Sequence, residues 1–350
     1  MTQNSIAISS GDLLLYWTGI VIALGVAAWF AMSLALYTSD RGKASAMWLY
    51  MPIATVLSVL FARAVHWYCH SEQYTSFTSA ITDYSSGGFC LPGVLLALMV
   101  AAVLVRLLCF TDSIGRLLDA VAPGACIGIA LFRLSAIFNT TCRSTILITD
   151  PAYQSLPIGS AVTSSGGNVE YRFATFFVQF LLMLALAVLM VGLFAARRRK
   201  SVKRGFRRGH IFALFLTFYC AMEVVLDSTR NDSSFFPWNG FVSIVQIFSA
   251  VSMLTVFILY SVNSVKANGL RYWHWICWVL FAAAIGGAGF YEYWVQRHGN
   301  LYLYCYSVMS VCCIAICVLV YVMYLTVCER PRWAAAPAPE NLPKPEENAQ

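Results

Sequence analysis

Nine apolar stretches, each long enough for about 20 residues of helix, follow one another along this chain up to residue 327. They lie at roughly 13–38, 46–70, 89–110, 116–138, 173–196, 209–228, 240–263, 272–295 and 302–327. In a bilayer a helix satisfies all of its own backbone polar groups, so runs of this length are read as membrane crossings. Composition agrees. Hydrophobic residues make up 59% of the 350 and charged residues only 11%, where a soluble domain carries about a quarter. The expected fold is an all-α polytopic membrane protein with about nine transmembrane helices. The leader MTQNSIAISSGD has no basic residue, and the first apolar run exceeds a signal-peptide core, so the first span is expected to be retained.

Lysine and arginine set the expected orientation, because they accumulate in short cytoplasmic connections. Arg197, Arg198, Arg199, Lys200, Lys203, Arg204, Arg207 and Arg208 form the strongest such group. Arg41 with Lys43, Arg116, Lys266 with Arg271, and Arg330 with Arg332 fall on the same side if the spans alternate. The N-terminus is therefore expected outside and the C-terminus in the cytoplasm, leaving 71–88, 139–172 and 229–239 external. Topology and attraction to anionic membrane lipids account for the basic cluster and the net charge of +7, and no nucleic-acid partner is called for. Residues 328–350, rich in Pro, Ala and charge without periodicity, read as a disordered cytoplasmic tail.

Most of the 12 cysteines fall within or at the ends of spans, where cysteine packs as a small apolar residue. Cys69, Cys90 and Cys142 are placed near the external face, and no Cys/His spacing reads as a metal site. Gly124-x-x-x-Gly128 and Gly286-Gly287-x-Gly289 permit close helix approach.

Ionisable side chains inside spans are expensive in lipid and point to a site. Arg63 and His66 sit a turn or two before the end of the second span, Arg133 about a turn before the end of the fourth, and Glu223 and Asp227 just before the end of the sixth. All three spans run outward, so the five residues share the depth of the outer leaflet. Tyr219, Glu223 and Asp227 recur every four residues, and Arg230 follows three later, along one helical stripe. Arg133 and Glu223 lie too deep to reach water and are expected to face each other across the interior, as a functional pair or as an ion pair that merely holds two helices together. Arginines at this depth suit a lipid phosphate, whose oxygens match the planar guanidinium fork, and a neighbouring histidine, carboxylate or tyrosine can move a proton.

The stretch Leu118–Arg143, LDAVAPGACIGIALFRLSAIFNTTCR, resembles the signature of the bacterial prolipoprotein diacylglyceryl transferases: an Asp, then Ala-Pro, then a Gly-rich helix ending in Gly-Arg-x-Gly-Asn-Phe-x-Asn-Gly-Glu. Asp119, Ala122, Pro123, Gly128, Arg133 and Asn139 fall on matching positions. FYCAMEVVLDSTRND resembles the family's Tyr-Gly-x-x-Arg-Phe-x-x-Glu-Phe-x-Arg segment through Tyr219, Asp227 and Arg230, and Trp238-Asn239-Gly240-Phe241 with Gln246 continues the likeness. ARAVHWYC around Arg63 is similar to the family's second-span Gly-Ala-Arg segment. The likeness breaks at three places, five residues in all. Pro92 stands where the family has a functional histidine, Glu223 replaces an arginine, and Ser135-Ala136-Ile137 replaces Gly-Asn-Phe.

The resemblance covers about residues 1–265, a seven-span transferase-like membrane domain. Residues 266–327 form two additional spans. It implies transfer of a diacylglyceryl group from phosphatidylglycerol to the lipobox cysteine thiol of a prolipoprotein, at the plasma membrane of a bacterial cell, with release of glycerol phosphate. No metal or other cofactor is needed by this chemistry. Arg133 and Arg230, with Arg63, would hold the phosphate. His66 is the candidate proton carrier in the absence of the family's histidine, with Asp227 second. Tyr219, Glu223, Asn139 and Asp119 would complete the substrate site. The substituted positions leave a catalytically silent lipid- or protein-binding relative as the alternative. A transporter is disfavoured, because its site should lie near the bilayer midplane.

Overall fold

The computed structural model describes residues 6–10, 13–82, 88–108, 110–111, 113–139, 141–163, 167–198, 208–236, 239–299 and 301–328. Its helices are α1 (Trp17–Ser39), α2 (Ala44–Cys69), a short α3 (Phe77–Thr82), α4 (Leu91–Leu107), α5 (Ile114–Leu134), a one-turn α6 (Pro151–Gln154), α7 (Thr175–Arg198), α8 (His210–Ser228), α9 (Ile244–Asn268), α10 (Tyr272–His298) and α11 (Tyr302–Cys328). Three antiparallel hairpins accompany them: β1 (Ile6–Ser10) with β2 (Leu13–Tyr16), β3 (Gly159–Thr163) with β4 (Val169–Phe173), and β5 (Phe235–Phe236) with β6 (Asn239–Ser243). The basic residues at 199–207 and the tail from 329 onward lie outside the described residues.

Among the described residues eight helices are long and apolar enough to cross a membrane, which makes this an all-α polytopic membrane protein. The third apolar run, expected over 89–110, folds differently from its expected length. Gly88–Cys90 is non-helical, Pro92 starts the helix in its first turn, and the helix ends at Leu107. The resulting 17 residues of α4 span about 25 Å, short of a full crossing. The seventh run also starts later than its hydropathy suggests, because Asn239–Ser243 pairs as a strand before α9 begins.

The bundle is built around α5 and α8, whose crossing segments are 61% and 72% buried, against 17% for α1. Polar side chains on these two helices therefore face protein rather than lipid. α5 packs on α1, α7 and α8, α2 packs on α4, and α11 lies against α8, α9 and α10. The α1–α5 approach depends on glycine: a Cβ on Gly124 would stand 2.7 Å from the Trp29 carbonyl oxygen, and one on Gly25 would stand 3.3 Å from that of Gly128. Gly286 and Gly289 meet no neighbour in this way, so only Gly287, against Cys312, serves close packing in the second glycine group.

The two ends of the bundle differ chemically. At one end Arg197 bridges Asp119 and Asp40 at 2.6 Å each, and Asp119 accepts the amides of Gly209 (2.7 Å) and Phe212 (3.0 Å), satisfying the first turn of α8. At the other end the connecting segments are stitched into a cap. Ser144 pairs with Arg230 as a bridge, the Ser144 hydroxyl donates to the Thr229 carbonyl at 2.8 Å, and Arg143 donates to the Asn139 and Ala161 carbonyls at 2.7 and 2.6 Å. Trp17 stacks on Phe138 at that same end.

Candidate active site

Beneath the cap, the ends of α5, α7, α8 and α9 bring together a continuous group of polar side chains. Arg133, in the last turn of α5 and 2% exposed, donates to both carboxylate oxygens of Glu223 on α8 at 3.3 and 3.4 Å. The two residues thus form the pair their depth predicted. Gln179, one turn into α7, donates its amide to the same carboxylate at 3.2 and 3.3 Å. The second terminal nitrogen of Arg133 points 3.2 Å from the Cys142 sulfur. A cation and an anion buried together offset much of one another's desolvation, whereas either alone would be strongly unfavourable.

One turn further along α8, the Asp227 carboxylate accepts the Ser243 hydroxyl at 2.5 Å and Arg230 at 3.3 Å. Ser243 is the N-cap of α9 and forms a capping box with Gln246, so the hydroxyl is fixed before it meets Asp227. Arg230 also binds Asp232 at 2.9 Å, and the other Asp232 oxygen accepts the Cys142 amide at 3.0 Å. Cys142, with a left-handed φ of 55°, therefore touches both halves of the network. Burial alone would lower the pKa of Arg230, but Cys142, Asp232 and Asp227 around it hold it well above the ordinary arginine value. Burial alone would raise that of Asp232, but the charge and hydrogen bond of Arg230 hold its carboxyl below the usual range.

Three buried polar atoms in this group make no hydrogen bond among the described residues: Nε of Arg133, Oε1 of Gln179 and the hydroxyl of Tyr219. Such atoms are rare in a finished interior, and a cluster of them around one guanidinium leaves capacity for a polar ligand.

Other expected residues are placed elsewhere. Arg63 is 1% exposed and donates to the carbonyls of Ala80 (2.8 Å) and Gly88 (3.1 Å), with Phe89 and Tyr74 near its plane. It ties the 71–90 connection to α2. His66, half-buried, stacks on His70 with ring centroids 4.3 Å apart, and a Cβ on Gly88 would collide with its ring. No hydrogen bond joins His66 to Arg133 or Asp227 among the described residues. Cys90, whose sulfur is 3.7 Å from the Ser234 hydroxyl, stands between the two groups. Asn139 accepts the Thr141 amide and hydroxyl at 2.9 and 2.5 Å and shapes the turn that delivers Cys142. Asp119 lies 14 positions before Arg133 on α5, about 21 Å away at the basic end, where it holds α8 and Arg197. Trp238, which carries part of the family likeness, lies outside the described residues.

The residues that sequence reasoning missed are Gln179, Ser243 and Asp232. Gln179 had a visible signal, since it is the one amide in the run TFFVQFLLM. Ser243 and Asp232 sit in polar connections whose folding no periodicity announces.

Beside this network, α1, α2, α4 and α5 line an open apolar cavity of about 340 Å³, bounded among others by Trp29, Ala62, Phe89, Gly128 and Phe132. Phe132 adjoins Arg133 in sequence and places the cavity next to the charged centre. No group of three or more His, Cys, Asp and Glu side chains converges in metal-binding geometry among the described residues.

Fold and site together define a polytopic membrane protein with a buried, charged centre under a cap of connecting segments, flanked by an apolar cavity. The chain matches the prolipoprotein diacylglyceryl transferase profile over residues 5–262, and it belongs to that family. Proteins named phosphatidylglycerol--prolipoprotein diacylglyceryl transferase are similar to it. That of Dehalococcoides mccartyi strain CBDB1 is 25% identical over 243 residues, covering 66% of this chain and 84% of the relative. That of Clostridium novyi is 24% identical over 272 residues, covering 75% and 97%, and that of Lactobacillus delbrueckii subsp. bulgaricus is 24% identical over 292 residues, covering 78% and 98%.

Proposed function

We propose that this protein transfers the diacylglyceryl group of phosphatidylglycerol to the lipobox cysteine thiol of prolipoproteins, within a bacterial plasma membrane and from the outer leaflet. The reading is carried by one observation: a guanidinium, Arg133, held at a fixed depth by Glu223, with unpartnered polar atoms around it and an apolar cavity alongside. A phosphate beside Arg133 and Arg230 would complete their hydrogen bonding, and an acyl chain matches the cavity in chemistry.

In the reaction, sulfur forms a bond to the glyceryl carbon that bears the phosphate, the carbon–oxygen bond breaks, and glycerol phosphate leaves. The arginines stabilise the negative charge that develops on the departing phosphate oxygen. The thiol proton must be taken up for sulfur to attack. Asp227 is the nearer acceptor to the arginines, through its contact with Arg230, and His66 lies on the approach beyond Cys90. Glu223, where the family pattern has arginine, serves here to hold Arg133 in place together with Gln179. In this reading the basic end faces the cytoplasm and the cap faces outward, as the positive charges require.

Expression of this chain in cells depleted of their own transferase tests the reading. Restored lipid modification of prolipoproteins is expected, and accumulation of unmodified precursors despite normal membrane expression would contradict it.

A further inference from the structure

One hydrogen-bonding position left open in the charged centre is an acceptor, and it belongs to Gln179. This side chain is 1% exposed, one turn into α7, and its Nε2 donates to the two oxygens of Glu223 at 3.3 and 3.2 Å. A carboxylate only accepts, so the contact fixes which end of the amide faces Glu223 and turns Oε1 away from it. Oε1 is buried and has no hydrogen-bond partner among the described residues. The same is true of Nε of Arg133, whose terminal nitrogen binds the same carboxylate at 3.3 and 3.4 Å, and of the Tyr219 hydroxyl, one turn before Glu223 on α8. The three open atoms differ in kind. Nε of Arg133 only donates, the tyrosine hydroxyl does either, and Oε1 of Gln179 only accepts. A phosphate diester offers acceptors alone, so it can satisfy Arg133 and Tyr219 but leaves Gln179 unanswered.

We propose that Gln179 is a specificity-determining residue, whose Oε1 accepts a hydrogen bond from a headgroup hydroxyl of the lipid while Arg133 binds its phosphate. The inference rests on the proposed function in taking phosphatidylglycerol as the ligand. Glu223 holds Arg133 and Gln179 on one carboxylate, so a group that meets Oε1 lies close to a phosphate on Arg133. In phosphatidylglycerol the donor nearest the phosphate is the hydroxyl on the carbon next to the esterified one, within the part of the lipid that leaves. Such a hydroxyl relieves the unpaired state of Oε1, and an otherwise similar headgroup without it does not. That difference is the source of selectivity, because a buried acceptor left without a donor is unfavourable.

The experiment reads binding rather than transfer. Full-length wild type and Gln179→Met, purified in an uncharged detergent, are titrated with phosphatidylglycerol and with phosphatidylpropanol, and bound lipid is counted by native mass spectrometry. Phosphatidylpropanol has the same charge and an equally long headgroup but no headgroup hydroxyl. Wild type should bind phosphatidylglycerol about tenfold or more tighter than phosphatidylpropanol. Gln179→Met keeps the length of the side chain without the acceptor, and its two Kd values should agree within about twofold. Gln179 also supports Glu223, so both Kd values can rise in the variant. A purely structural role moves them together and leaves their ratio as in wild type, and that result overturns the inference. Gln179→Asn draws the amide back by one methylene with less disturbance of the fold, and should also lose most of the preference. Equal binding of the two lipids by wild type overturns the inference as well, and points to the acceptor peptide as the donor to Oε1. If wild type transfers no lipid yet shows the preference, and Gln179→Met loses it, the proposed reaction fails and the assignment of Gln179 stands.

Discussion

The Arg133–Glu223 pair shows how one residue's burial constrains its neighbours. Removing the acid in Glu223→Ala leaves a guanidinium buried with only Cys142 as a described partner, and we expect a loss of about 3–5 kcal/mol in stability, read as a lowered midpoint of denaturant unfolding in detergent. Glu223→Gln keeps an acceptor for Arg133 and should lose less. His66→Ala should slow lipid transfer at neutral pH and recover part of the rate at higher pH, where the acceptor thiol ionises unaided. A loss that is equal at all pH values would exclude His66 from proton handling. The depth of Arg133 and Glu223 was legible in the sequence because apolar neighbours on both sides leave such residues no route to water. Their partner Gln179 was harder to read, since an amide in an apolar run carries no formal charge and no spacing rule ties it to α8. Arg63 and Asp119 were legible as buried charges, but their partners were not. The Ala80 and Gly88 carbonyls and the Gly209 amide are backbone groups, which sequence patterns do not display.

Among the elements, the α5 and α8 assignments followed from hydropathy and hold to within a few residues, because a membrane helix must begin and end near the edge of the apolar layer. α4 departs from its expected length because Pro92 fixes the helix start and the flanking Phe89 and Phe110 add apolarity without helix. The cap was the least legible element. It depends on side chain to backbone bonds, such as Ser144 to Thr229 and Arg143 to Ala161, with no periodic signature. Asp232 tests its contribution. Its folded-state pKa lies below the unfolded value, so its stabilising effect is present above about pH 4 and disappears as the pH falls through the folded pKa. Asp232→Asn should therefore lower the thermal midpoint at pH 7, with the difference from wild type narrowing below about pH 4. A difference that stays constant down to low pH would show that the carboxylate's charge is not what matters.

At the scale of the whole molecule, the two chemically distinct ends define where reaction and anchoring take place. An impermeant thiol label should fail to reach a cysteine placed within 199–207 from outside intact cells, because the surrounding positive charge keeps that connection inside. Labelling from outside would put the Arg133 centre on the wrong leaflet. Deletion of residues 333–350, whose Pro- and Ala-rich composition cannot build a core, should leave transfer unchanged at equal expression. The central claim, that this bundle moves a diacylglyceryl group with Arg133 on the phosphate, is tested most directly with purified protein, labelled phosphatidylglycerol and a lipobox peptide. Wild type should label the peptide on its cysteine, and Arg133→Ala should fall by about a thousandfold while remaining folded. Arg133→Lys should also lose most activity, since a point charge does not reproduce the bidentate fork. Labelling by Arg133→Ala at the wild-type rate, or no labelling by wild type, would contradict the account.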